Sequence, residues 1–150
     1  MVMVFADQLG EVDLLKMLKM CIIHDLGEAI NGDIPAISKN NQNKADSERQ
    51  DFQTLIQGLP NALQQEFLSL WDEYENATTY EARLIKGFDK LETLIQHNQG
   101  KSVPNMPDID YTFNLTYGKQ YMDAHPLLQN LRQVIDRKTS LLAQQQKFSS

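Results

Sequence analysis

Apolar residues recur along this chain at three- and four-residue spacing, and the sustained alternation of a half-buried strand is missing, so the pattern predicts an all-α fold. From about Val12 to Leu26 the sequence is apolar around most of a helical circumference, through Leu14, Leu15, Leu18, Cys21 and Ile22, with Lys16 and Lys19 marking a wet edge. Such a segment reads as a central buried helix. Asn31-Gly32-Asp33-Ile34-Pro35 predicts a turn, because Gly tolerates positive φ and Pro cannot continue a helix. The polar run Asn40-Asn41-Gln42-Asn43 predicts a mobile stretch.

A helix is expected from Lys44 to Gln57, with Phe52, Leu55 and Ile56 inward and Gly58 and Pro60 stopping it. Another follows from about Ala62 to Glu75, facing the core with Leu63, Phe67, Leu70, Trp71 and Tyr74. Thr78-Thr79-Tyr80-Glu81 has capping-box spacing, Thr78 and Glu81 each satisfying an orphan backbone N–H, and opens a helix to about Asn98. Leu84, Phe88, Leu91 and Ile95 form its core face, and Gly100 terminates it. Residues 101–112 read as a long connection. Pro126 suits the first turn of a last helix over about 126–147, with Leu127, Leu131, Val134, Ile135 and Leu142 on one face and a fraying tail from Gln144 to Ser150. With no internal repeat, the chain reads as one domain over 1–150, its core in 12–98.

Composition narrows the functional classes. At 150 residues the chain can bury a real core. Twenty acidic against fourteen basic side chains leave a net charge of -6, which disfavours attraction to nucleic-acid backbones or anionic lipid. The single cysteine, Cys21, cannot form an intrachain disulfide, and a reducing, cytoplasmic setting is expected. No apolar stretch approaches the roughly 20 residues that span a bilayer, and the first residues lack the basic start of a secretory signal, so neither membrane insertion nor export is expected.

The segment with chemical content is Ile22-Ile23-His24-Asp25-Leu26-Gly27-Glu28-Ala29-Ile30-Asn31-Gly32-Asp33-Ile34-Pro35. His24, Asp25 and Glu28 crowd one end of an otherwise apolar helix. Carboxylates set against a core are normally paired, hydrogen-bonded or bound to a cation. Neutral imidazole and carboxylate together suit manganese, cobalt, iron, zinc or nickel. Asp89 borders the core stripe of a distant helix, one turn beyond Ile85, from where a helix crossing could bring a further carboxylate to the same ion. Lys39, Lys44 and Lys86 are secondary candidates for holding phosphate. His97 and His125 read as surface or capping residues; His97 is eight residues past Asp89, about 12 Å along the same axis.

These segments resemble the HD-domain metal-dependent phosphohydrolases, and within them the branch of 5′-deoxynucleotidases that act on deoxynucleoside monophosphates. The resemblance rests on Met20-Cys21-Ile22-Ile23-His24-Asp25-Leu26-Gly27-Glu28, Gly32-Asp33-Ile34, Leu70-Trp71-Asp72-Glu73-Tyr74-Glu75, and Glu81 through Glu92, and covers most of residues 12–98. It implies a compact multi-helix HD bundle with His24, Asp25 and Asp89 as ligands of a divalent ion (Mn, Co, Fe, Zn, Ni or Mg). It also implies Glu28 and Asp33 as the acidic pair that handles water and the leaving group, and a nucleoside 5′-monophosphate substrate.

The family pattern places a first histidine about thirty or more residues before the His-Asp pair, whereas 23 residues precede His24, and that histidine has no counterpart here. The family's N-terminal helix is accordingly expected to be incomplete, with Met1 to Ala6 in its middle. Apolar surface left by an absent helix leads to an expectation of homodimerisation. Two further readings compete: an HD scaffold that binds metal or nucleotide, or dimerises, without turnover, and a different HD chemistry such as phosphodiester or guanosine-tetraphosphate hydrolysis. There is no Gly-Tyr-Pro motif of the cyclic-dinucleotide type, and Glu28 with Gly32-Asp33 favours the monophosphatase branch.

Overall fold

The computed structural model describes residues 1–30, 41–100 and 109–149. The protein is all-α: α1 (Val2–Phe5), α2 (Leu14–Ile23), α3 (Asn41–Ile56), α4 (Asn61–Asn76), α5 (Tyr80–Asn98), α6 (Tyr111–Asn114) and α7 (Pro126–Ser149), with 3-10 turns at Ala6–Gln8, Leu26–Ala29 and Lys119–Ala124. No strand occurs among the described residues, and no described helix is long and apolar enough to cross a membrane. The helices pack into two compact units, Asp13–Ala82 and Met1–Val12 with Arg83–Ser150.

In the unit Asp13–Ala82, the Asp13 carboxylate caps α2 by accepting from the Lys16 N–H at 2.9 Å. The helix buries Met17, Met20 and Ile23, while Leu15 and Ile22, expected inside, are exposed. Lys16 and Lys19 mark the wet side, but apolar residues cover the rest of the helix, so packing partners chose which of them face inward. Phe52 and Ile56 of α3 and Leu70, Trp71 and Tyr74 of α4 are buried as expected, but Leu55 and Leu63 are exposed. The rings of Phe52 and Trp71 stack at 6.2 Å. Arg49 reaches from α3 to grip both oxygens of Asp72 on α4, at 2.7 and 2.8 Å, a fork geometry that fixes the angle as well as the distance.

Breaks between these helices follow local chemistry. The Gln64 side-chain amide donates to the carbonyls of Gln57 and Leu59, satisfying acceptors where α3 has ended. Helix α4 ends on Ala77 in the left-handed region (φ 48°), with the Ala77 and Thr78 N–H groups donating back to Tyr74 and Glu73. The cap of α5 is one residue later than its spacing suggested: the Thr79 hydroxyl, not that of Thr78, accepts from the Ala82 N–H, at 3.2 Å. Asn41, Gln42 and Asn43 open α3 rather than forming a mobile stretch.

In the other unit, Phe5 stacks face to face on Phe88 of α5 at 6.2 Å, and Val2 and Leu9 are buried. Helix α5 turns Leu84, Ile85, Phe88, Leu91 and Leu94 inward; Ile95, expected among them, is partly exposed. A Cβ at Gly87 would lie 2.5 Å from Leu128 Cδ1, so the absence of a side chain there lets α5 and α7 approach. Pro126 opens α7 as expected, and the helix runs to Ser149, two residues past the expected end near 147. Leu128 and Ile135 face in, whereas Val134 is exposed. The Asp110 carboxylate caps α6 within the span 101–112 expected as connection; residues 101–108 lie outside the described ones.

Candidate metal centre

Helix α2 ends at Ile23, with His24 as its C-cap and Asp25 opening the 3-10 turn Leu26–Ala29. The pair thus sits at a helix end, as expected, but Glu28 lies on the tighter 3-10 turn and not on a continuation of α2. His24 is held on three sides. Its Nδ1 is 3.0 Å from the Cys21 carbonyl oxygen, its ring lies 4.8 Å from that of Tyr74, and its Nε2 is 3.1 Å from Asp25 Oδ1. A carbonyl only accepts, so the geometry assigns the neutral ring's proton to Nδ1 and leaves the lone pair on Nε2.

That lone pair faces a carboxylate oxygen, two acceptors that repel unless a proton or a cation joins them. This donor set fits a divalent ion. A metal-ligating histidine ordinarily donates its other N–H to a carbonyl or carboxylate, and 3.1 Å is close enough for one ion to touch both atoms at ligand distances of about 2.0–2.2 Å. The imidazole is largely buried while the Asp25 side chain is 70% exposed, so the pair opens to solvent on the carboxylate side.

The backbone of this turn is packed against α3. A Cβ on Gly27 would fall 2.7 Å from the Glu48 carbonyl oxygen, so only glycine permits the observed approach. The Glu28 N–H donates to the Asp25 carbonyl at 3.0 Å, fixing the half-buried Glu28 one turn beyond the pair. Asp33 and Lys39 lie outside the described residues, as does the side chain of Lys44.

A charged cluster braces the same unit. Lys16 bridges Glu73 at 3.0 Å and Glu81 at 3.4 Å, Thr79 donates to Glu73, and Lys19 pairs with Glu66. Burial opposes the Lys16 charge, but Glu73 and then Glu81 outweigh it and hold its pKa above the ordinary lysine value. Backbone N–H groups, first its own and then that of Asp13, together with Lys16, hold the Glu81 carboxyl below its ordinary range against the opposing effect of burial. A surface hollow of about 300 Å³ is lined by Asp13, Lys16, Lys19 and Glu66, and these charges are engaged with partners.

Asp89 belongs to the other unit. Its Oδ2 accepts from Lys90 Nζ at 2.8 Å, and both side chains are about three-quarters buried. Burial works against the Lys90 charge, yet the Asp89 carboxylate more than offsets it and the ammonium titrates above the ordinary lysine range. Lys86 is buried. His97 bonds through Nδ1 to Asn114 Oδ1 at 3.1 Å, and His125 Nδ1 accepts from the Leu127 N–H at 3.1 Å, capping α7. His125 caps as expected, whereas His97, expected at the surface or as a cap, is half-buried and bonded to the buried Asn114. The structure thus brings His24 and Asp25 together; among the described residues no group of three or more His, Cys, Asp or Glu is gathered. The sequence reading missed Glu48, Tyr74 and Lys90 as neighbours of these residues. The glycine at 27 was the one available signal of a close backbone approach.

The HD domain family matches residues 1–132, most of the chain, and the chain belongs to that family. It is similar to the 5'-deoxynucleotidase HDDC2 of Dictyostelium discoideum, 33% identical over 126 residues that cover 81% of this chain and 65% of that protein. The protein of the same name from Xenopus laevis is 29% identical over 137 residues, 89% of this chain and 67% of its own length. That from Bos taurus is 33% identical over 93 residues, 61% and 45% of the two chains. The chain thus spans from under half to two thirds of the length of these relatives. No solved structure gives a significant match.

Proposed function

We propose that the protein is a divalent-metal-dependent phosphohydrolase that releases phosphate from deoxynucleoside 5′-monophosphates, with His24, Asp25 and Asp89 as metal ligands. The observation that carries this reading is the His24-Asp25 pair, with Nδ1 3.0 Å from the Cys21 carbonyl oxygen and Nε2 3.1 Å from the Asp25 carboxylate. The similarity to proteins named 5'-deoxynucleotidase supports the substrate class.

A divalent ion at these residues would neutralise phosphoryl oxygens and make water a competent nucleophile near neutral pH. The chain's own groups supply the rest. The Cys21 carbonyl keeps the His24 ring in its ligating tautomer, and the Gly27 contact with α3 fixes the turn that carries Glu28. Glu28 and Asp33 take a proton from the attacking water and return one to the leaving 5′-oxygen. One imidazole and two carboxylates leave coordination positions open for water and phosphoryl oxygens. The protein acts in the cytoplasm as a homodimer and binds neither nucleic acid nor membrane.

The test is phosphate release from each deoxynucleoside 5′-monophosphate with Mn²⁺ or Co²⁺, for the purified chain beside Asp25→Asn and Glu28→Gln. Release that depends on the metal and falls at least 100-fold in both variants supports the reading. Metal or nucleotide binding without any release supports the alternative of a non-catalytic HD scaffold.

A further inference from the structure

Adjacent residues on an α-helix point about 100° apart and do not ordinarily face each other. Lys90 Nζ nevertheless lies 2.8 Å from Asp89 Oδ2. Two residues of the segment Asn114–Gly118, Tyr117 and Gly118, lie against Lys90. The Lys90 ammonium stands 5.4 Å from the centroid of the Tyr117 ring, a distance at which the ring's negative face attracts a cation. Its stem runs over Gly118, where an added Cβ would fall 2.5 Å from Lys90 Cβ and 2.8 Å from Cγ. Gly118 also takes φ 72°, so both the backbone turn and the lysine's path require glycine.

The closing segment is itself anchored. Arg132, 4% exposed, donates to the carbonyls of Tyr117 and Asn114 and to the Asp136 carboxylate. The ring of Phe113 backs that of Tyr117 at 5.6 Å. A buried guanidinium with three bonds therefore fixes the backbone whose ring and glycine confine Lys90, and Lys90 in turn holds one oxygen of Asp89.

We infer that Lys90, confined by Tyr117 and Gly118, is a positioning residue that orients the Asp89 carboxylate for metal binding. This rests on the reading of Asp89 as a ligand. Partners in the outer shell of a metal site set the orientation of its ligands, and losing one costs about 10- to 100-fold in metal affinity.

The test is Mn²⁺ affinity, measured from the free-ion EPR signal on the intact chain, for wild type, Asp89→Asn, Lys90→Met, Lys90→Arg and Tyr117→Leu. Circular dichroism melts in EDTA verify folding. We expect at least 10-fold weaker binding for Lys90→Met, recovery to within about threefold of wild type in Lys90→Arg, and an intermediate loss in Tyr117→Leu. If Lys90→Met fails to fold, Tyr117→Leu decides, since it removes the confining ring and leaves both charges. Weak binding in Asp89→Asn with wild-type affinity in the Lys90 or Tyr117 variants overturns the positioning role alone. Unchanged affinity in Asp89→Asn overturns the ligand assignment beneath it.

Discussion

Gly27→Ala puts one methyl group where the structure has no room for it. The new Cβ would lie 2.7 Å from the Glu48 carbonyl oxygen, 3.2 Å from its carbonyl carbon and 3.3 Å from its Cβ. The first contact is about 0.7 Å short of ordinary van der Waals separation, and its partner is the backbone of α3, which cannot rotate away. Overpacking of this kind costs about 1–3 kcal/mol. The reduced freedom of the unfolded chain returns about 0.4–1 kcal/mol, so the net loss is centred on about 1.3 kcal/mol. Urea unfolding followed by circular dichroism measures it, with Gly58→Ala as the control, since nothing lies within 4 Å of that Cβ position. The control should match wild type or gain up to about 1 kcal/mol. Gly27 lies between the His24-Asp25 pair and Glu28, so Mn²⁺ affinity should also fall under conditions where the variant is fully folded. A Gly27→Ala protein within about 0.5 kcal/mol of wild type, with unchanged Mn²⁺ affinity, would refute the tight seating of this turn on α3.

Other consequences concern the unit that carries the pair. Because the folded-state pKa of Glu81 lies below its ordinary value of 4.5, its contribution to stability is complete above about pH 4.5 and disappears as pH falls through the depressed value. Glu81→Gln should therefore be less stable than wild type at pH 7 and lose less on acidification, which urea midpoints between pH 7 and pH 3 would reveal; parallel curves would contradict the pairing with Lys16 and Asp13. Ala77 is the one non-glycine residue with positive φ among the described residues, and the left-handed region costs an L-residue about 1–2 kcal/mol. Ala77→Gly should thus stabilise the chain by about 0.5–1 kcal/mol once glycine's greater unfolded-state entropy is counted, which raises the thermal midpoint, and a lowered midpoint would contradict the cap.

The fold class was legible because the punctuation was strong. Gly58 and Pro60 stop α3, and Pro126 opens α7, for reasons local to each residue. Which apolar residues of α2 face inward was not legible: Leu15 and Ile22 are as hydrophobic as Met17, Met20 and Ile23, and partners distant in sequence decided between them. Thr78 alone has the capping-box spacing to Glu81, yet the Thr79 hydroxyl takes the cap and the Glu81 carboxylate is engaged with Asp13 and Lys16. At the candidate site, the His24-Asp25 contact was readable from the dipeptide. The tautomer-setting bond to Cys21 follows from the bend at the end of α2 and is invisible in composition. Lys90 could not be read at all, since what turns it toward Asp89 is a segment more than twenty residues later in the chain.

The central claim is that His24, Asp25 and Asp89 hold one divalent ion. Calorimetric titration of the metal-free chain with Co²⁺, repeated for His24→Ala, Asp25→Asn and Asp89→Asn, tests it most directly. One site per chain in wild type, weakened at least 10-fold by each substitution, is the predicted result. Wild-type affinity in all three variants would contradict it.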